Sequence, residues 1–120
     1  MGETILVVDD DAQVRDVLKR IVESFGYKVV LASDGKDALN KALAMSSLDL
    51  VLTDVVMPNQ GGFDFVAELA KHRPQVEVIF MSAYTADEKL DEQVADGKAR
   101  FLAKPFKPSE LQRKIQLALL

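Results

Sequence analysis

The sequence predicts a doubly wound α/β domain, in which helices cover both faces of a five-stranded parallel sheet. Short apolar, β-branched runs alternate with amphipathic stretches of helical period, so that each predicted strand is followed by a predicted helix. The 120 residues are 48 % apolar and 28 % charged, which is enough for one core and a solvated surface. We therefore predict a single domain over residues 1–120, with right-handed crossovers between its strands.

Five apolar segments, rich in β-branched residues and bounded by turn residues, predict the strands. They are Thr4–Val8, Lys28–Ala32, residues 48–53, residues 76–81 and Ala99–Ala103. Four helices follow from apolar residues at helical spacing together with end signals. They span Val14 to Phe25 before Gly26, Ala38 to Leu43 after Ser33-Asp34-Gly35, Phe65 to Ala70 before Pro74, and Leu111 to Leu119 after Pro108-Ser109. A fifth helix over residues 84–96 has only Leu90 and Val94 as apolar anchors, so we expect it to be loosely held.

Composition excludes several functional classes. A net charge of -4 argues against direct nucleic-acid binding, which needs clustered lysine and arginine. No apolar run is long enough to cross a membrane, and residues 1–4 lack the basic region of a signal peptide. Because the chain has no cysteine, it carries no disulfide, and we predict a cytoplasmic protein.

Charged or hydroxyl side chains follow four of the five predicted strands. The strand ends read Asp9-Asp10-Asp11, Thr53-Asp54, Met81-Ser82 and Ala103-Lys104-Pro105. The carboxyl ends of parallel strands meet at one edge of the sheet, where ligands of open α/β sheets bind. The sequence therefore predicts a functional site at this edge.

Converging carboxylates at this edge would repel each other and raise one another's pKa values. A hard divalent cation offsets that repulsion, and oxygen ligands without nearby histidine or cysteine favour Mg²⁺. The alternative for Asp11 is that it caps the helix beginning near Ala12, and for that residue we expect capping.

Asp54 emerges where its strand ends, and beside Mg²⁺ and an ammonium group a carboxylate can attack a phosphoryl donor. Lys104 would then neutralise charge on the transferred group, and Ser82 could donate a hydrogen bond to it. The alternatives are a surface lysine and an ordinary turn serine.

Four motifs resemble those of two-component response-regulator receiver domains, and the resemblance runs from Ile5 to the last helix. The motifs are Ile5-Leu6-Val7-Val8-Asp9-Asp10-Asp11, Leu52-Thr53-Asp54-Val55-Val56-Met57-Pro58, Phe80-Met81-Ser82-Ala83 and Phe101-Leu102-Ala103-Lys104-Pro105-Phe106. The resemblance implies a flavodoxin-like fold with strand order 2-1-3-4-5 and five helices. It also implies a phosphoacceptor signalling domain that catalyses only its own phosphorylation and dephosphorylation.

By this resemblance Asp54 is the phosphorylation site, and the phosphoryl group comes from a phosphohistidine on a sensor histidine kinase or a histidine phosphotransfer domain. Mg²⁺ is held by Asp10, Asp54 and the backbone carbonyl of Val56, while Asp9 acts largely through water.

The same resemblance implies that Lys104 pairs with the phosphoryl group and that the Lys104–Pro105 peptide bond is cis. Ser82 would move toward the phosphoryl group and Phe101 would turn inward. That switch would bias the face built from the helix predicted over residues 84–96, the fifth strand and the last helix. The alternative for Phe101 is a plain core residue.

Some features depart from the family pattern or leave alternatives open. Asn59-Gln60-Gly61-Gly62 replaces the usual Met-Asp/Asn-Gly and predicts a looser turn. Residues 79–85 are similar to receivers at the C-terminus of hybrid kinases, which favours a piece of a longer protein over a free regulator.

Val56 and Tyr84 flank the path by which water would approach the acyl phosphate, so we predict slower self-dephosphorylation. His72 is expected to be exposed at the end of the third helix.

Three other functions match parts of the sequence. Asp9 and Asp11 followed by Ser82 and Lys104 match the order in haloacid-dehalogenase-like phosphatases, with Asp9 as nucleophile, but that reading leaves Asp54 unused. A pseudo-receiver would keep the fold without turnover. A nucleotide-binding module would need a glycine-rich loop after the first strand, which is absent. The final Leu117-Ala118-Leu119-Leu120 fits either the core or the face of a weak homodimer.

Overall fold

The computed structural model describes residues 2–57, 59–82 and 99–120, which contain five parallel strands and four helices. The strands are β1 (Thr4–Val8), β2 (Lys28–Ala32), β3 (Leu50–Asp54), β4 (Glu77–Ser82) and β5 (Ala99–Ala103). The helices are α1 (Ala12–Ser24), α2 (Gly35–Ala44), α3 (Gly62–His72) and α4 (Pro108–Ala118). The helix predicted over residues 84–96, with Leu90 and Val94, lies outside the described residues.

The sheet has the order β2-β1-β3-β4-β5, and all its neighbouring strands are parallel. This confirms the predicted doubly wound, flavodoxin-like arrangement. The order reverses at β1, between β2 and β3, so the carboxyl ends of β1 and β3 flank the point where an open α/β sheet binds its ligand.

Two strands begin later than the sequence predicts. Asp49 accepts a hydrogen bond from the Thr4 amide through its carboxylate, at 2.8 Å, so the regular ladder of β3 begins only at Leu50. Val76 donates its amide to the carbonyl of Arg73 in a turn, which delays β4 by one residue. Both strands also extend one residue further, so that β3 reaches Asp54.

The core forms two layers because successive strand residues point to opposite faces of the sheet. On one face, Ile5 and Val7 of β1 pack with apolar residues of α1 and α4. On the other, Leu6 and Val8 pack with α2 and α3. This alternation buries β1 from Ile5 to Val8 and directs the next residue, Asp9, to the edge of the sheet.

Side-chain caps start two of the helices. Asp11 precedes α1, and its carboxylate accepts hydrogen bonds from the amides of Gln13 and Val14, which confirms the expected capping role. Asp34 precedes α2, and its Oδ1 accepts from the amide of Asp37 at 2.8 Å.

Two further predictions concern the ends of α3 and α4. His72 is the last residue of α3 and is exposed, as predicted. Ala118 and Leu119 pack against the core, whereas Leu117 and Leu120 are exposed. Within the described residues, none of the helices has the length and apolar content needed to cross a membrane.

Candidate functional site

Three carboxylates meet at the carboxyl edge of the sheet. Asp9 and Asp10 follow β1, and Asp54 ends β3; one oxygen from each lies within 4.8 Å of the others. The structure therefore brings together the acidic residues that the sequence singled out. Asp9 is buried, with 2 % of its side chain exposed, whereas 17 % of the Asp54 side chain is exposed.

Lys104 bridges two of these carboxylates. Its Nζ atom donates to Asp9 Oδ2 at 3.0 Å and to Asp54 Oδ2 at 3.2 Å. The second oxygen of each carboxylate accepts from a backbone amide, that of Asp11 for Asp9 and that of Val55 for Asp54, both at 2.9 Å. Each carboxylate is thus oriented at both oxygens, and Lys104 does not point into solvent.

The backbone at Lys104 lies beside the end of β4. The Lys104–Pro105 bond is cis, the isomer that the resemblance implies. The Lys104 amide donates to the Ser82 carbonyl at 2.9 Å, which ties the end of β5 to the end of β4. The side chain of Lys104 is partly buried, so it sits in a setting of reduced dielectric where its contacts with carboxylates are stronger.

Burial and charge oppose each other at this site. Burial raises the pKa of Asp54 above its ordinary value; the Lys104 ammonium lowers it by less, and the Asp9 charge raises it further. Burial would lower the pKa of Lys104, but its contacts with Asp9 and Asp54 outweigh that effect and raise it. Lys104 therefore stays protonated at neutral pH.

The acids outnumber the ammonium group, and this imbalance fits a hard divalent cation. Asp10 is exposed, and its carboxylate has no hydrogen-bond donor among the described residues. The three carboxylates offer oxygen ligands only, the donor set that Mg²⁺ and Ca²⁺ prefer. Asp9, Asp10 and Asp54 could together hold such an ion.

Arg15 is a site residue that the sequence reasoning missed. Its Nη1 atom donates to the backbone carbonyl of Asp9 at 2.7 Å and so steadies the loop that carries Asp9 and Asp10. A cation in the first turn of a helix opposes the helix dipole, which favours acidic residues there. That mismatch at Arg15, which three residues separate from the acidic triplet and its helix cap, was the signal available in the sequence.

Ser82 and Phe101 occupy neighbouring strands beyond Asp54. Asp54 is paired with Met81, so Ser82, which is buried, follows at the adjacent strand end. Phe101 is half-buried and packs on a small apolar cluster of Val55, Val78 and Phe80. Phe101 thus packs on the cluster that includes Val55, the residue directly after Asp54, and it is the register partner of Phe80.

Hydrogen bonds hold the described part of the loop from β3 to α3, and the looser turn expected from Asn59-Gln60-Gly61-Gly62 stays a prediction. The Gly62 amide donates to the carbonyl of Val55 at 2.9 Å, and the Gly35 amide donates to the carbonyl of Gln60 at 3.0 Å. Between these contacts Val56 has 67 % of its surface exposed. Tyr84, the second residue expected to flank the site, lies outside the described residues.

Comparison with known proteins agrees with this geometry. Chemotaxis protein CheY of Thermotoga maritima is 35 % identical over 112 residues, which cover 92 % of each chain. The DNA-binding transcriptional regulator NtrC of Rhizobium meliloti is 39 % identical over 110 residues; these cover 92 % of this chain but only 22 % of NtrC. The receiver domain of sensor histidine kinase PA1611 from Pseudomonas aeruginosa, solved with a magnesium ion in its active site cleft, superimposes with a TM-score of 0.87. That structure is 30 % identical, and the alignment covers 99 % of this chain and 98 % of that one.

The family match extends over nearly the whole sequence. Residues 5–116 match the family described as the response regulator receiver domain, from β1 into α4. The match includes all three carboxylates at the sheet edge and the lysine that contacts two of them. The chain therefore belongs to the response regulator receiver domain family.

Proposed function

We propose that this chain is a phosphoacceptor, one receiver domain over residues 1–120, and that Asp54 accepts the phosphoryl group. The observation that carries the proposal is the contact of Asp54 Oδ2 with Lys104 Nζ at 3.2 Å, beside the carboxylates of Asp9 and Asp10. This arrangement sets a partly exposed carboxylate next to a fixed positive charge, which suits attack on a phosphoryl donor.

In the proposed reaction an oxygen of the Asp54 carboxylate attacks the phosphorus of a phosphohistidine. A P–O bond forms, the P–N bond breaks, and the released imidazole nitrogen takes up a proton. The Lys104 ammonium group would lie beside the negative charge of the phosphoryl group. The Val55 amide holds the other carboxylate oxygen, Oδ1 of Asp54, in place. Lys104 keeps its proton throughout, because its contacts with the carboxylates raise its pKa.

We propose that Mg²⁺ completes the site, held by Asp10, Asp54 and the backbone carbonyl of Val56, with Asp9 acting through water. When bound, the ion would supply the positive charge that the acidic cluster lacks and stabilise the equatorial phosphoryl oxygens. The all-oxygen donor set supports this assignment, as does the magnesium ion in the PA1611 receiver domain.

The proposed partner is a sensor histidine kinase or a histidine phosphotransfer domain, since the donor must carry a phosphohistidine. After transfer, Ser82 and Phe101 would shift and change the face that includes β5 and α4. Phe101 packs on the cluster of Val55, Val78 and Phe80, and Val55 directly follows Asp54, which supports a link between the site and that face. The cytoplasmic location stays a prediction from the sequence.

The phosphatase alternative requires Asp9 as the nucleophile, and the geometry favours Asp54. Asp9 is almost inaccessible, and its two oxygens face the Asp11 amide and Lys104. Asp54 is several times more exposed. A nucleophile must reach the phosphorus of an incoming donor, so Asp54 is the better placed of the two.

Mass spectrometry after treatment with acetyl phosphate and Mg²⁺ tests the proposal. We expect the parent chain to gain the mass of one phosphoryl group and Asp54→Ala to gain none, because the nucleophile is gone. The matched control is Asp16→Ala, which removes an exposed carboxylate of α1 and should leave the mass gain intact. A mass gain that survives Asp54→Ala would refute the site, and a parent chain that never gains mass would favour a pseudo-receiver.

The exposed Val56 side chain leads to a second prediction, on the lifetime of the phosphorylated state. Val56 lies two residues after Asp54 and presents an apolar surface where water would approach the acyl phosphate. The acyl phosphate of the Val56→Asn variant should therefore be hydrolysed several-fold faster than that of the parent chain, because an amide side chain can hold the attacking water whereas valine cannot. The decay of the phosphorylated mass with time measures this rate, and an unchanged rate in Val56→Asn would contradict the prediction.

A further inference from the structure

Two loops beside the site are joined by hydrogen bonds. The Nδ2 atom of Asn59, in the β3–α3 loop, donates to Oδ2 of Asp34, in the turn before α2, at 2.7 Å. The Gly35 amide donates to the carbonyl of Gln60 at 3.0 Å. We call this pair of contacts the loop bridge. It connects segments that lie 25 positions apart in the sequence.

Backbone geometry makes the loop bridge specific to these residue types. A Cβ atom at Gly35 would lie 2.5 Å from the Gln60 carbonyl oxygen, so any larger residue would push the loops apart. Asn59 has φ 68, a left-handed conformation that asparagine adopts more readily than most residues other than glycine. Both contacts therefore depend on close approach of the two backbones.

The same loop is anchored at its other end to the site itself. The Val55 amide donates both to Asp54 Oδ1, at 2.9 Å, and to the Met81 carbonyl, at 3.1 Å. The Val55 carbonyl accepts from the Gly62 amide at 2.9 Å. Val56 lies between this anchor and the loop bridge. Its backbone is thus restrained from two sides, although its side chain is exposed.

Asp34 is well suited to its part in the loop bridge. Hydrogen bonds from the Asp37 amide and then from Asn59 lower the pKa of Asp34, so it is ionised at neutral pH. A hydrogen bond to an ionised carboxylate is stronger than one between neutral groups. Because Oδ1 caps α2 while Oδ2 receives Asn59, one side chain ties the start of α2 to the β3–α3 loop.

We propose that Asp34 and Asn59 are positioning residues that hold the β3–α3 loop so that Val56 and Asp54 present their oxygens to Mg²⁺ together. This proposal rests on the function proposed above, since it concerns the same metal site. Residues that orient metal ligands without touching the ion typically change metal affinity by about 10- to 100-fold. Since the loop bridge lies at the surface, we expect the low end of that range.

Asn59→Gly is the variant that isolates the contact. Glycine keeps the positive φ and the net charge but removes the side-chain hydrogen bond. Calorimetric titration with MgCl₂ should give a dissociation constant about tenfold weaker than that of the parent chain. In the metal-free protein, the backbone amide resonances of Val56 and Met57 should shift or broaden as the loop loosens.

The exchange variant Asp34→Asn/Asn59→Asp provides the matched control. It reverses donor and acceptor across the loop bridge and leaves the net charge unchanged. Asparagine at position 34 can still cap α2. We expect Mg²⁺ affinity close to that of the parent, a rescue that a purely local effect at either position would not produce.

The outcomes separate this proposal from the proposed function. A parent chain that binds no Mg²⁺ would overturn the proposed function and this inference with it. If the parent binds Mg²⁺ and Asn59→Gly binds it equally well, the positioning role alone is wrong. It is also wrong if Asn59→Gly binds weakly but the exchange variant fails to recover affinity.

Discussion

Replacing Lys104 with methionine is expected to slow phosphorylation of Asp54 by about 10²- to 10³-fold, the usual cost of removing a group that stabilises developing charge. Lys104 contacts Asp9 and Asp54 at 3.0 and 3.2 Å, and among the described residues no other side-chain cation contacts these carboxylates. Methionine has a similar length and flexibility, so the loss isolates the ammonium group. The rate follows from the mass gain over time with acetyl phosphate and Mg²⁺.

Removing Lys104 also affects stability, and the design must separate the two effects. Breaking a partly buried ion pair leaves Asp9 without a counter-ion and lowers the free energy of unfolding by about 3 kcal/mol. Reactions are therefore compared with Mg²⁺ present and after circular dichroism shows a folded variant. Lys71→Met removes an exposed lysine paired with Glu68 and should react like the parent. Parent-like phosphorylation of Lys104→Met would refute the proposed role of Lys104.

Gly62→Ala is expected to lower the free energy of unfolding by about 3 kcal/mol, at the upper end of overpacking effects. An added Cβ atom would lie 2.2 Å from the backbone oxygen of Asp54, a rigid group at the end of a central strand. Helix propensity alone would favour alanine here by at most about 1 kcal/mol, so the steric clash decides the sign. Chemical denaturation of the metal-free chain measures the loss.

Gly61→Ala is the matched control for this prediction. Its Cβ atom would meet only the Val55 carbonyl oxygen, at 3.2 Å, which a small shift can relieve. Gly61 also has φ -73, which alanine adopts without strain. We expect a change well below that of Gly62→Ala. Equal losses for both variants, or a Gly62→Ala as stable as the parent, would show that the close approach to Asp54 is unimportant.

Local sequence patterns were sufficient to predict most of the sheet. The β-branched runs at Thr4–Val8 and Lys28–Ala32 predicted β1 and β2 to the residue, because each is a short apolar run with polar residues or turns at its limits. The limits of β3 and β4 were off by one or two residues. There the ends depend on contacts such as the one from the Thr4 amide to Asp49, which are distant in sequence.

The candidate site could be assembled from the sequence because fold class alone places strand ends together. Lys104 and Asp9 are 95 positions apart, yet both follow strands of one parallel sheet and so had to meet at its edge. The roles proposed for Asp54, Lys104 and Ser82 rest on residue type at those ends. The contact of Arg15 with the Asp9 carbonyl was not predictable in this way, because it depends on how α1 leaves that edge.

Periodicity and strand polarity were enough to predict the order of elements, the two-layer core and the acidic edge with its lysine. Packing between elements is what brings Asp34 to Asn59, places Gly35 against Gln60 and leaves Val56 exposed between two anchors. Such contacts join loops whose separation is set by how α2 and α3 pack side by side on the sheet. No local pattern encodes that distance.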